Sequence, residues 1–108
     1  MTDFEMIQKL VYEEYIKNSY LSSWTSQDKI IQKKLDIAEL GLIITEVSEA
    51  MEKIRKKRIN KKLLAIECAD IIIRTLNFMS RKDMSGVFYI AYKNYKNVER
   101  EKLHGKEV

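Results

Sequence analysis

The sequence predicts an all-α fold: a single four-helix bundle over residues 1–108, completed by dimerisation. Three observations carry that prediction. The chain has no proline and only three glycines, Gly41, Gly86 and Gly105; a sheet protein draws on both for its turns, whereas proline breaks a long helix. Apolar residues recur at helical spacing in four stretches. The third stretch is apolar on nearly every side, more than the other helices of one small chain can cover. The size agrees, since 108 residues suit one domain and 45% hydrophobic residues suffice for a core.

The first helix is predicted from Phe4 to Tyr20, on the spacing of Phe4, Ile7, Val11 and Tyr15. Ser22 to Ser26 reads as a loop with Ser26 as the N-cap of the next helix. That second helix runs from Asp28 to Lys57 on a seam of Ile43, Val47, Ala50 and Ile54, with Gly41 inside it marking a close approach or a kink. Asn60 caps the third helix, which ends at Arg81. Asp83 or Ser85 starts the fourth, which ends near Leu103, before Gly105; its seam is Met84, Val87, Phe88, Ala91, Tyr95 and Val98.

Charge narrows the function classes. The chain carries 20 basic and 16 acidic residues, a net +4. If metal neutralises four acids, 20 bases face 12 acids, which favours an anionic ligand. Cys68 is the only cysteine, so no intrachain disulfide forms and a reducing, cytoplasmic setting is expected. Neither a secretory signal nor an apolar run of membrane-spanning length is present. The basic run at Lys53, Arg55, Lys56, Lys57, Arg58, Lys61 and Lys62 suits a solvated helix end first, and phosphate steering or nucleic-acid contact second.

The strongest local signal is four acids on apolar helices. Glu46 and Glu49 are three apart and share a face with Leu42, Ile43 and Ala50. Glu67 and Asp70 repeat the spacing among Leu63, Leu64, Ile66, Ile71 and Ile73. A buried carboxylate neutralises or finds a cation. Arg74 can pair with Asp70, but one arginine does not satisfy two acid pairs. In an antiparallel hairpin the four acids converge as hard oxygen donors suited to Mg²⁺ or Mn²⁺. The same spacing equally fits two ordinary acid pairs bridged to nearby lysines. On the fourth helix, Lys93, Asn97, Arg100 and His104 form a polar stripe opposite the apolar seam. Spacing alone favours a solvent-facing stripe; an anion clamp at the rim of the metal site is the functional reading.

Glu46-Val47-Ser48-Glu49 followed by Glu67-Cys68-Ala69-Asp70 resembles the E-x-x-E … E-x-x-D signature of the all-α nucleoside triphosphate pyrophosphohydrolases, the superfamily of MazG-like proteins, dimeric dUTPases and dCTP pyrophosphatases. Lys93, Asn97, Arg100, His104 and Gly105 are similar to a second element of that family, K-x₃-N-x₂-R-x₃-H-G. The likeness spans about residues 35–106. It departs at Thr45, where members often carry a further acid, and at Lys106, which follows Gly105 directly.

The resemblance implies a MazG-like bundle shared across a homodimer or homotetramer, with Mg²⁺-dependent cleavage of a (deoxy)nucleoside triphosphate to monophosphate and pyrophosphate. Glu46, Glu49, Glu67 and Asp70 would be the metal ligands. Lys93, Asn97 and Arg100 would bind phosphate. Glu46 and Glu49 would be the catalytic residues, with Glu49 as base. Two other functions stay open. One is a non-catalytic helical dimer that binds nucleic acid or protein through the basic run, although that run lacks the interleaved aromatics of a single-strand reader. The other is a phosphoribosyl-ATP pyrophosphohydrolase, which shares the fold and the bond cleaved. No pattern selects a base: Trp24, Tyr89 and Tyr92 suit stacking, core packing and dimer contact alike.

Overall fold

A computed structural model of the chain describes residues 1–17, 28–56 and 59–107, with side chains as far as Lys102 in the last segment. Four helices fill these segments: α1 (Asp3–Lys17), α2 (Lys29–Lys56), α3 (Lys61–Arg81) and α4 (Gly86–Glu107). No strand occurs among the described residues.

Local chemistry sets each helix start. Thr2 and Glu5 form a reciprocal capping box: the Glu5 N–H donates to Thr2 Oγ1 and the Thr2 N–H to Glu5 Oε2, both at 3.1 Å. Asp28 Oδ1 accepts from the N–H groups of Ile30 and Ile31 at 2.8 and 3.2 Å. The cap of α2 is therefore Asp28, where the sequence reading chose Ser26. Ser26 itself, Trp24, the rest of the 22–26 loop, the first helix beyond Lys17, and Lys57 and Arg58 of the basic run lie outside the described residues. Asn60 caps α3 as predicted, its Oδ1 accepting from the Leu63 N–H at 2.8 Å. At α4, Ser85 Oγ accepts from the Phe88 N–H at 3.2 Å. Asp83 instead takes φ 62° in the preceding turn, a left-handed conformation that aspartate tolerates better than most residues. α4 continues through Leu103 and Gly105 to Glu107. A single glycine costs a helix only about 1 kcal/mol.

α3 lies at the centre of the described helices: α2 and α1 pack against it, and α4 touches α1 and α3 more lightly. Buried Gln8 makes that junction. Its Nε2 donates to Ser80 Oγ at 2.9 Å and to the Met84 carbonyl at 3.0 Å, and its Oε1 accepts from the Gly86 N–H at 2.8 Å. One side chain thus ties α1 to the end of α3 and the start of α4. Gly86 suits this junction, because a Cβ would stand 2.8 Å from both Gln8 Oε1 and Leu76 Cδ2 and would displace one of them. At Gly41, where a close approach or a kink is expected, no atom of the described residues lies within 4 Å of a Cβ, and α2 runs through the position as one helix.

The predicted seams form helices but find few partners within one chain. Among the described residues only Ala50 (8% exposed) and Leu76 (4%) are buried hydrophobics. Ile7, Val47, Ile54, Phe88, Tyr95 and Val98 remain exposed. The radius of gyration is 17.2 Å, against roughly 13 Å for a compact chain of this length. Apolar periodicity specifies a helix and its sticky face; whether another element of the same chain covers that face depends on topology.

Candidate metal and phosphate site

The hairpin of α2 and α3 is held by a ladder of ion pairs in one antiparallel register. Glu39 pairs with Arg81, Glu46 with Arg74 at 3.2 Å, and Lys53 with Glu67. Each step of seven residues along α2 is matched by seven back along α3, so all three pairs lie on one seam. In that register Glu49 and Asp70 stand level to within a residue, about 1.5 Å along the axis. Glu46 and Glu67 lie nearly one turn to either side, about 4.5 Å away. The hairpin thus gathers the four sequence-predicted acids onto two adjacent turns.

Their surroundings differ. The Glu46 and Glu67 side chains are 17% and 19% exposed, in keeping with acids set among apolar residues. Glu49 and Asp70 are exposed, so of the two acids on the apolar third helix only Glu67 is withdrawn from water. Arg74 reaches across the hairpin to Glu46 and leaves Asp70, the partner expected from its own helix. Lys53 titrates above its ordinary value because it donates to the Glu67 carboxylate, with Glu49 and Glu46 adding attraction.

Lys53 and Arg74 therefore sit among the acids. Four carboxylates against two cations leave two negative charges, the charge of one divalent ion. All-oxygen donors suit Mg²⁺ or Mn²⁺ and not zinc. As placed, no three His, Cys, Asp or Glu side chains among the described residues come close enough together to hold a metal ion. The donor types suit such an ion, while Glu46 and Glu67 are each held by a cation in this arrangement.

A cavity of about 300 Å³ opens beside these acids. Its walls are Tyr15 from α1, Leu42 from α2, and Asp70, Ile73, Arg74 and Asn77 from α3. Glu39 closes one end, where Tyr15 Oη donates to Glu39 Oε2 at 3.5 Å. Beyond Glu39, the Arg81 guanidinium is 2% exposed and also donates to Asp36 and, at 2.7 Å, to Gln32 Oε1. Lys82 completes the cluster on Asp36 at 2.9 Å. Burial pushes the Glu39 carboxyl up against the attraction of Arg81. Burial and the adjacent Glu39 charge push the Tyr15 phenol up to about 12. Bonds from Lys82 and Arg81 outweigh burial at Asp36 and hold it below its ordinary value.

The stripe on α4 is set apart from this cluster. Lys93 and Asn97 line a second cleft with Met79, Tyr89 and Ile90, and Arg100 is exposed. The side chain of His104 lies outside the described residues. Phe88, Tyr89 and Tyr92 form an exposed aromatic patch on the same helix: Phe88 meets Tyr89 edge-on at 5.0 Å and stacks on Tyr92 at 6.5 Å.

Sequence reasoning passed over the Arg81 cluster and the cavity residues Tyr15 and Asn77. A signal existed for Asn77, a polar residue in the same apolar helix as the acids; Arg81 and Glu39 gave none until the register was known. No helix among the described residues is long and apolar enough to cross a membrane. No family model, no curated protein and no solved structure matches the chain.

Proposed function

We propose that the chain is a Mg²⁺-dependent nucleoside triphosphate pyrophosphohydrolase of the MazG-like type. It acts in the cytoplasm as a homodimer or homotetramer on a (deoxy)nucleoside triphosphate, releasing the monophosphate and pyrophosphate. The observation that supports this reading is the pairing of Glu46 and Glu49 with Glu67 and Asp70 on adjacent turns of one hairpin, left two charges short of neutrality by Lys53 and Arg74.

Glu46, Glu49, Glu67 and Asp70 would hold the cation, which supplies charge neutralisation at the phosphates and a water of lowered pKa. Exposed Glu49 carries no ion pair among the described contacts, which suits it to take the proton from the attacking water. Lys93 and Arg100 would meet the charge that develops on the departing pyrophosphate, and Asn97 would donate a neutral hydrogen bond. An assembly of copies would bring the α4 stripe to the acids and would cover the aromatic patch that is exposed in the single chain.

Metal-dependent melting tests the site. Ligand at 100 times its Kd adds about 2.7 kcal/mol to the folded state, so saturating Mg²⁺ or Mn²⁺ raises the melting temperature and EDTA lowers it. Glu46→Gln and Asp70→Asn abolish that response. A wild-type curve indifferent to saturating metal, with and without a non-hydrolysable triphosphate, contradicts the site.

A further inference from the structure

The cavity beside Asp70 contains a polar group that the fold itself does not use. Asn77 is only 5% exposed, and its Oδ1 has no hydrogen-bond partner among the described residues. One turn away on the same wall, the buried Nε of Arg74 also lacks a partner. Buried polar atoms in folded proteins are nearly always paired, so an orphan acceptor and an orphan donor on two residues of one cavity wall favour an occupant that supplies the complements.

The remaining walls define its shape. Leu42 and Ile73 offer apolar surface and Tyr15 a ring, the surroundings that a flat aromatic heterocycle favours. At about 300 Å³ the space is at the small end of ligand pockets. The rim is shared with the carboxylates, since Asp70 lines the cavity and Arg74 reaches from it to Glu46. A molecule with phosphates at the acids would have its other end here.

We propose that this cavity receives the nucleobase of the substrate and that Asn77 selects it. The carboxamide both donates and accepts, matching the mixed donor–acceptor edge of a base, and Arg74 Nε adds a donor. This assignment rests on the pyrophosphohydrolase reading for the phosphate end of the ligand, but base binding requires neither metal nor turnover.

The test therefore has separate arms. Wild type, Asn77→Leu and Leu42→Trp are titrated calorimetrically with a panel of 2′-deoxynucleoside 5′-monophosphates in EDTA. Their melting temperatures and their turnover of the matching triphosphates with Mg²⁺ are measured alongside. Wild type should bind one base on the order of 10-fold more tightly than the others, and Asn77→Leu should lose that preference. Its melting temperature should not fall, because the atom removed has no partner in the free chain. Leu42→Trp, at a half-exposed position, should fill the space and block all monophosphates while leaving Asn77 in place. Unchanged base ranking in Asn77→Leu overturns the proposal, as does wild type binding no monophosphate. A lowered melting temperature with intact ranking marks a water-bridged structural asparagine and overturns it too. Selective monophosphate binding without triphosphate cleavage would retain the base site and reject the enzymatic reading. Cleavage with no effect of either variant would do the reverse.

Discussion

Replacing Arg81 by methionine removes the cation that joins the two ends of the α2–α3 hairpin. The guanidinium is 2% exposed and serves Glu39, Asp36 and Gln32 together. Asp36 keeps Lys82 at 2.9 Å, so the main casualty is Glu39, whose side chain is 10% exposed and would face the cavity without a cation. Removing one partner of a buried pair costs about 3–5 kcal/mol, because the other charge stays withdrawn from water. The lost bond to Gln32 adds about 1 kcal/mol. Against a total stability of roughly 5–15 kcal/mol for a domain of this size, Arg81→Met removes a large share at pH 7. Burial already pushes the Glu39 carboxyl up, so the orphaned acid escapes by protonation and the loss shrinks toward pH 4. Urea unfolding followed by far-UV circular dichroism, at one fixed protein concentration, reads the effect. The double variant Arg81→Met/Glu39→Leu should recover most of it by removing the stranded charge. A loss below about 1 kcal/mol at pH 7, or a double variant no more stable than the single, would refute the reasoning.

Three further outcomes are expected. Lys93→Ala and Arg100→Ala should each lower kcat/KM on the order of 10²-fold for every nucleotide alike while sparing metal binding, because they meet phosphate charge and not the base; wild-type turnover in both would reject their role. Tyr15 titrates near 12 against an ordinary 10.0, so its neutral form stabilises the fold. That contribution is fully present below pH 10 and is lost as the pH rises to 12; after screening it amounts to about 1 kcal/mol, and Tyr15→Phe should flatten the alkaline fall in urea midpoint. Sedimentation should find an oligomer at micromolar concentration, since Phe88, Tyr92 and Tyr95 lie uncovered in the single chain; a well-folded monomer would contradict the assembly.

What the sequence disclosed depended on the range of the interaction. Caps are local, so Asn60 is readable at α3 and Ser85 as one of two starts for α4, while at α2 Asp28 makes the capping bonds and the expected cap, Ser26, lies outside the described residues. The central place of α3 followed from apolar residues around its circumference. Glu46, Glu49, Glu67 and Asp70 were legible as pairs because spacing of three places them on one face. Their ion partners were not legible: Lys53–Glu67 and Glu46–Arg74 need the hairpin register, which no single helix contains. The same holds for Glu39 and Arg81, 42 residues apart. α4 runs past the end expected near Leu103, because a glycine inside a helix is only a weak point. Asn77 stands out in the sequence as a polar residue in an apolar run, but the wall it lines follows only from the fold.

The most direct test of the central claim is product analysis. The purified chain is incubated with a panel of canonical and modified deoxynucleoside and nucleoside triphosphates in Mg²⁺, and the products are separated by chromatography and identified by phosphorus NMR. The pyrophosphohydrolase reading predicts monophosphate and pyrophosphate in equal amounts from at least one nucleotide, with the reaction abolished by EDTA and by Glu46→Gln. Release of diphosphate and orthophosphate, turnover that survives Glu46→Gln, or no cleavage of any nucleotide in either Mg²⁺ or Mn²⁺ would contradict it.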